Sequence, residues 1–401
     1  MNAALPAEPE HVVHEAVGPA LTPLNSVGII GVGVNSLLAA GLFPVLLGAL
    51  GQEHRLSNAG LGIVAMLELL AMGVATGLAG VYLPPKRLKL LGAAACIVLA
   101  LIDLATMQAA GAAIFGLRAA AGATEGILLW ITVGMIARSA TPERWAAVFF
   151  TAQVIAQFAV SVLFAAWVMP RWGSAGGFGA LALCSLASLG LAVLLPAGYA
   201  GLLTESVQTG APPFRGWIAL IASLIVAAAS GAIGVYLQPF AIQAGLSPDV
   251  ARTAVALSLA GQVVGGAAAT ALAGRVRYFH VFLVGTAVLL VCWGIFAFHT
   301  PAPVFIAANV ISGFMGLILA PFLVPMTIEA DPSRRAAMQS GGAQLLGSAA
   351  GPAIAALLVS DKDVRSAVVL GCALLVFGLA VIAWLHFTSR HGTAVDAASG
   401  G

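Results

Sequence analysis

The sequence predicts an all-α membrane protein, with twelve transmembrane helices in two pseudosymmetric six-helix bundles. Three observations lead there. Only 8% of the 401 residues are charged and 61% are hydrophobic, at a mean hydropathy of +1.04, whereas a soluble domain carries roughly 25% charged residues. Apolar runs long enough for a spanning helix, which needs about 20 residues, recur throughout and are broken by charges, Pro or Gly clusters. Slid by 194 residues, the chain matches itself in several helices.

The N-terminal segment 1–23 carries Glu8, Glu10 and Glu15 but no Lys or Arg. A cleaved signal peptide begins with a positive region, so this stretch reads as a polar cytoplasmic tail. Six spans follow, over 25–50, 57–83, 88–108, 110–137, 143–169 and 174–196, and make a first bundle, 24–196. Segment 197–215 follows Pro196 and contains Glu205, Pro212, Pro213 and Arg215; it is the one sizeable linker and reads as a central cytoplasmic loop. Six further spans, over 216–244, 248–273, 279–299, 302–328, 335–359 and 364–387, make a second bundle, 216–387, before a cytoplasmic tail, 388–401.

Loop charges orient these spans. Twelve crossings put both termini on one side, whose segments hold eleven Lys or Arg against five on the other. Arg118 is the remaining cation and lies inside a span. The positive-inside rule then makes both termini cytoplasmic, in a cytoplasmic (inner) membrane surrounded by lipid. Trp145, Trp172, Trp217 and Trp384 fall near span ends, where an aromatic belt belongs.

At the offset of 194, Ala75-Thr76-Gly77-Leu78-Ala79-Gly80 falls on Ala269-Thr270-Ala271-Leu272-Ala273-Gly274, five identities in six. Gly122 meets Gly316, Glu68 meets Gln262, and one residue further Pro44 meets Pro239. Six helices per half is an even number, so both halves enter from the same side as a parallel repeat. Pro44 and Pro239 are expected to kink the first and seventh spans near their outer ends.

Several function classes find no support. The net charge of +2 is spread over loops, with no basic-aromatic patch for nucleic acid. Cys96, Cys184, Cys292 and Cys372 stand far apart in apolar runs and read as small core residues, not as a zinc or disulfide framework. The histidines lie in tails or at helix ends, no His/Asp/Glu set has metal-ligand spacing, and no nucleophile sits in a Gly-x-Ser-x-Gly context. No metal, cofactor or enzymatic activity is expected. Gly31-x-Gly33 lies within a span, away from any strand-to-helix turn, and is not a nucleotide loop.

The chemistry concentrates in the fourth span. Arg118, Gly122, Glu125 and Leu129 stand at i, i+4, i+7 and i+11, one face of a helix. An ionisable group at mid-bilayer costs roughly 2.5 kcal/mol or more and marks a functional site by default. With Glu68 in the second span and Asp103 in the third, these are the four clearly intramembrane ionisable residues. Three carboxylates against one cation leave at least one acid without a charge partner. Burial favours the neutral form of a carboxylate, so Arg118 is expected to pair with one acid while Glu125 or Glu68 takes up a proton. The alternative is a static ion pair that fixes helix packing.

Arg118-x-x-x-Gly122 with Gly126, on a twelve-span chain with a parallel repeat, resembles the Arg-x-x-x-Gly motif in the fourth helix of the major facilitator superfamily of secondary transporters. The resemblance extends along nearly the whole chain. It implies a central cavity between two bundles, worked by alternating access, and a part for Arg118 in proton coupling. It also implies a peripheral third span, so that Asp103 serves packing or reaches the outer headgroups. Two features depart from the family pattern. The loop Gly80-Val81-Tyr82-Leu83-Pro84-Pro85-Lys86-Arg87 keeps the family's first glycine and basic end but has no Asp, which removes the family's carboxylate latch to a neighbouring helix end. The Gly-x-x-x-Gly-Pro motif of drug–proton antiporters is missing from the fifth span and appears in the eleventh, as Gly347-Ser348-Ala349-Ala350-Gly351-Pro352.

In that family the first, fourth, seventh and tenth helices line the cavity, which here offers Asn35, Tyr236, Gln238 and Asn309 as binding residues. Gln153 and Gln157 in the fifth span, Gln262 in the eighth and Gln344 in the eleventh join them. Amides donate and accept without charge, which suits a small neutral or weakly charged solute; with Arg118 near, an organic anion also fits. The competing reading is hydrogen bonding between helices, at roughly 0.6–2 kcal/mol each. The expected function is secondary active transport of a small organic solute with the proton as coupling ion and no nucleotide. The alternatives are a drug or metabolite exporter and, outside the class, a sensor or scaffold that moves nothing.

Overall fold

The computed structural model describes residues 22–138, 142–199, 211–272, 274–332 and 335–399. Almost all of the expected N-terminal tail, and 200–210 of the linker, lie outside the described residues. The first half comprises α1 (Pro23–Ser36), α2 (Leu38–Gln52), α3 (Asn58–Tyr82), α4 (Leu88–Thr106), α5 (Ala112–Arg138), α6 (Pro142–Leu163) and α7 (Met169–Val193). The second comprises α8 (Phe214–Gly234), α9 (Leu237–Gln243), α10 (Pro248–Leu272), α11 (Tyr278–Phe296), α12 (Ala302–Ala330), α13 (Arg335–Leu358) and α14 (Arg365–Ser399).

Eleven helical runs among the described residues are long and apolar enough to cross a membrane. One of them, Val148–Val193, is 46 residues long and holds most of the expected fifth and sixth spans. At ~1.5 Å per residue it would far overshoot a hydrocarbon layer of ~30 Å if it ran straight. The expected break at 170–173 is instead a helical corner. Ahead of Pro170, which has no N–H to give the ladder, Met169 N–H donates to the Phe164 carbonyl across a π-helical segment, Phe164–Val168. Gly173 then adopts φ 56°, ψ −147°, a left-handed backbone open to glycine because it has no Cβ.

The first and seventh spans are each interrupted. The ring of Pro239 clashes with the carbonyl four residues back, at Val235, and Val235 is the C-cap of α8. In the first span the break falls at Leu37, well before Pro44, which sits inside α2. There a side chain enters the gap, since Gln157 Nε2 donates to the Leu37 carbonyl at 2.8 Å. Insertion of this kind is a recognised cause of helix kinks. At the other end of the chain, α14 runs to Ser399, twelve residues past the expected end at 387.

Packing repeats between the halves: α3 lies on α5 and α4 on α7, while α10 lies on α12 and α11 on α14. The register is not copied throughout. A Cβ on Gly316, the partner of Gly122 at the 194 offset, would meet open space, and the close approach is made at Gly313, where a Cβ would stand 2.3 Å from the Ser258 carbonyl oxygen.

The halves meet through α3 with α13, α10 with α6, and α2 with α9 and α10. Their closest contacts gather at the end that carries the α2–α3 loop. A Cβ on Gly62 would stand 2.4 Å from the Pro352 carbonyl and 2.5 Å from the Tyr236 hydroxyl, and one on Gly48 would stand 2.1 Å from Gln238 Oε1. Asn58 N–H donates to Asp361 Oδ1 at 2.8 Å, and its amide to the Ser360 carbonyl at 3.2 Å. Toward the opposite end, Gly77 on α3 and Gly342 on α13 have open space beside them. The halves are thus closed against each other at the end that carries the α2–α3 loop. At the opposite end the turn between α3 and α4 is held by the start of the linker: Leu88 N–H donates to the Ala197 carbonyl and Tyr199 N–H to the Pro85 carbonyl, at 3.2 and 2.9 Å.

Candidate functional site

The site begins with a missing side chain. A Cβ on Gly122 would stand 2.0 Å from the Glu68 carbonyl oxygen, so glycine is what lets α5 lie directly on α3. One turn further, Thr76 Oγ1 donates to the Gly126 carbonyl at 3.0 Å and holds the same interface. With the helices this close, Arg118, one turn before Gly122, grips Glu68 across the seam. Its Nε donates to Glu68 Oε2 at 2.9 Å and its Nη2 donates to Oε1, a two-pronged pair. Nη1 donates to Asp103 Oδ1 on α4 at 2.6 Å, and the guanidinium lies 5.2 Å from the Phe178 ring centroid on α7.

Glu125 sits beside this pair without joining it fully. Its Oε1 is 3.8 Å from Arg118 Nη2, and its Oε2 has no hydrogen-bond partner among the described residues. Arg118, Glu68 and Glu125 are 1% exposed and Asp103 2%. Bidentate charge-assisted bonds are strong, but desolvating the ions offsets most of the attraction, so a buried ion network is weak evidence for stability.

The structure therefore brings the four predicted ionisable residues into one cluster, with two corrections. Arg118 pairs with two carboxylates, not one. Asp103, expected to serve packing or to reach the headgroups, points into the bundle and completes the ring around the guanidinium.

The predicted binding residues do not converge in the same way. Asn35 lines a cavity between α1, α6 and α7 and donates to Ser185 Oγ at 3.3 Å. Gln157 fills the α1–α2 break, where it bonds one helix to another, while its neighbour Gln153 keeps Oε1 without a partner among the described residues. Tyr236 and Gln238, 0% and 1% exposed, form part of the closed end between the halves. Asn309 is buried in α12 with its Nδ2 unpartnered among the described residues. Gln262 and Gln344 are half-buried on α10 and α13.

Three polar clusters escaped sequence reasoning. Glu53 Oε1 accepts from Ser174 N–H at 2.6 Å at the corner in α7, while Arg55 Nε donates to the Ala109 carbonyl and Nη2 to the Thr106 carbonyl, at 2.9 and 2.6 Å. An anion thus meets a helix start and a cation a helix end, as the peptide dipoles favour. Asp331, 1% exposed, accepts from Ala336 N–H at 2.9 Å and caps α13. Tyr278 donates to Glu329 Oε1 at 3.0 Å, and its hydroxyl is 3.2 Å from His386 Nδ1. Only the Asp331-Pro332 pair ahead of a helix carried a readable signal; the other two depend on distant segments meeting.

No family model matches the sequence, and no curated protein matches it. Solved structures do match. A variant of the nucleoside transporter NupG superposes with a TM-score of 0.68 at 12% identity, covering 92% of this chain and 99% of that one. A bacterial homologue of the human lysosomal transporter Spinster, inward-facing and occupied, gives a TM-score of 0.64 at 13% identity over 92% of this chain and 97% of that one. Both are major facilitator transporters. The chain thus has the major facilitator fold, that of a multi-pass membrane protein with two six-helix bundles.

Proposed function

We propose that this protein is a proton-coupled secondary transporter of a small organic solute, working by alternating access between bundles 24–196 and 216–387. The observation that carries the reading is Glu125: a fully buried carboxyl with one oxygen unpartnered among the described residues, 3.8 Å from an arginine that two other acids already hold. Protonated, Glu125 stands beside the Arg118 cluster without adding charge to the bundle. Deprotonated, it competes with Glu68 and Asp103 for the guanidinium, and so loosens the grip of α5 on α3 and α4. A proton is in this way coupled to helix packing.

No nucleotide-binding motif accompanies the fold, so an ion gradient or the solute's own gradient supplies the driving force. The charge of Arg118 is already met by two carboxylates, which favours a neutral polar solute over an organic anion. Nucleosides, the solutes in the name of NupG, fall in that class. The positive-inside count supports a cytoplasmic side for the termini and the linker, in an inner membrane, and an outer side for the α2–α3 loop.

The test is flux in proteoliposomes under an imposed pH gradient, with solutes chosen by a thermal-shift screen against a metabolite library. Wild type is expected to accumulate a hit solute as the gradient directs, while Glu125→Gln exchanges it without responding to pH. If Glu68→Gln, Asp103→Asn and Glu125→Gln all retain pH-driven transport, the proton site is elsewhere. Export of toxic compounds instead of uptake would assign the drug or metabolite antiporter class. Absence of flux under every gradient would assign a sensor or scaffold.

A further inference from the structure

A cavity of about 900 Å³ opens between α1, α6 and α7, wholly within the first bundle. Its α1 wall runs from Pro23 to Asn35, or ~18 Å at 1.5 Å per residue, so the cavity is a slot and not a bowl. Val27, Ile30 and Val34 on α1 and Val148, Ala152 and Ala156 on α6 keep its walls apolar. Near the deep end stands one polar group that the fold does not satisfy. Asn35 lines the slot and is 6% exposed; its amide nitrogen donates to Ser185 Oγ at 3.3 Å, and no donor among the described residues reaches its carbonyl oxygen.

Water would satisfy that oxygen but would gain nothing from a long apolar wall. A ligand that fills the slot needs an apolar body and, at its buried tip, a hydrogen-bond donor. The tip must also be uncharged. The Arg118 cluster in the same bundle gathers three acidic side chains around one guanidinium, which disfavours an anion. A cation would lose its hydration among walls that offer it no carboxylate.

We infer that this slot is a binding site for an elongated, uncharged amphiphile whose terminal hydroxyl or amide N–H donates to Asn35. The site is separate from the Glu125 cluster and does not rest on the transport reading.

Cys184 supplies the readout, because it lines the slot. The full chain is placed in lipid nanodiscs and the rate of thiol labelling at Cys184 is read peptide by peptide. The probes are 1-dodecanol, dodecane and dodecanoate, compared at equal membrane mole fraction. The expected order of protection is dodecanol first, with dodecane and dodecanoate well behind. Asn35→Leu is expected to weaken protection by dodecanol about tenfold, the scale of one hydrogen bond, and leave that by dodecane unchanged. Ala152→Trp, which fills the slot, is expected to slow labelling with no probe present, and keeps the test usable if Asn35→Leu does not fold. Equal protection by dodecanol and dodecane would reduce the slot to a lipid-facing crevice. Strongest protection by dodecanoate would make it an anion site, and no protection by any probe would remove it as a site; each of these overturns the inference.

Discussion

At the scale of single residues, Arg118 and Glu125 answer opposite questions. Removing Arg118 leaves Glu68 and Asp103 buried without their cation, which typically costs about 3–5 kcal/mol; Arg118→Leu is therefore expected to lower the melting temperature sharply, and Glu68→Gln in the same chain to recover part of the loss. Glu125→Gln replaces a carboxyl whose second oxygen has no partner among the described residues, and is expected to keep the melting temperature while changing the response to pH. Outside the membrane, the carboxyl of Asp363 is held below the usual carboxylate range by the Arg365 N–H, and next by the Gln243 side chain. A depressed folded-state value means that this stabilisation is present above the unfolded value, near pH ~4, and is lost as pH falls through the folded one. Asp363→Asn is thus expected to narrow its melting-temperature deficit against wild type in acid; a deficit constant down to pH ~3 would contradict the assignment. Four charges in a run otherwise free of them were legible from cost alone. That Asp103 turns inward was not, because a carboxylate's direction depends on how α4 packs against α5 and α7.

At the scale of elements, the seam between α3 and α5 sets the site, and glycine sets the seam. Gly122→Val places methyl groups where even a Cβ would stand 2.0 Å from the Glu68 carbonyl; overpacking of this kind costs typically 1–3 kcal/mol, and here also pulls Arg118 from Glu68. Gly316→Ala enters open space and is expected to be neutral or stabilising by up to ~1 kcal/mol, through helix propensity. Thermal melting of the two variants side by side checks the assignment, and an equal loss in both would contradict it. The Arg-x-x-x-Gly spacing could be read in the sequence because it follows the helical period. The break at 170–173 was legible too, but not that the helix continues around it through a π-helical segment and the kink at Gly173. The Leu37 break was hidden because its cause is a glutamine on another helix.

At the scale of the whole molecule, the two halves share a packing pattern but not a chemistry. The Arg118 cluster lies in the first half, where Glu68 has only Gln262 as its partner at the 194 offset, while the second half buries Asp331 and His386 toward its ends. Tyr236 and Gln238 were legible as polar residues in a spanning segment, yet their position at the closed end depends on which end of the bundle is shut, a property of one state that composition does not encode. If that closure opens and shuts during transport, then Asn58→Cys with Asp361→Cys, which replace a contact of 2.8 Å between the halves, should cross-link under oxidation and arrest flux, with recovery on reduction. Unimpaired flux in the cross-linked protein would rule out movement at that end. The central claim, that Glu125 carries the coupled proton, is tested most directly by infrared titration of the purified protein. Wild type should show the carbonyl band of a buried, protonated carboxylic acid that disappears as pH rises, and Glu125→Gln should lack it. A band that persists unchanged in Glu125→Gln, or is absent from wild type at every pH, would contradict the account.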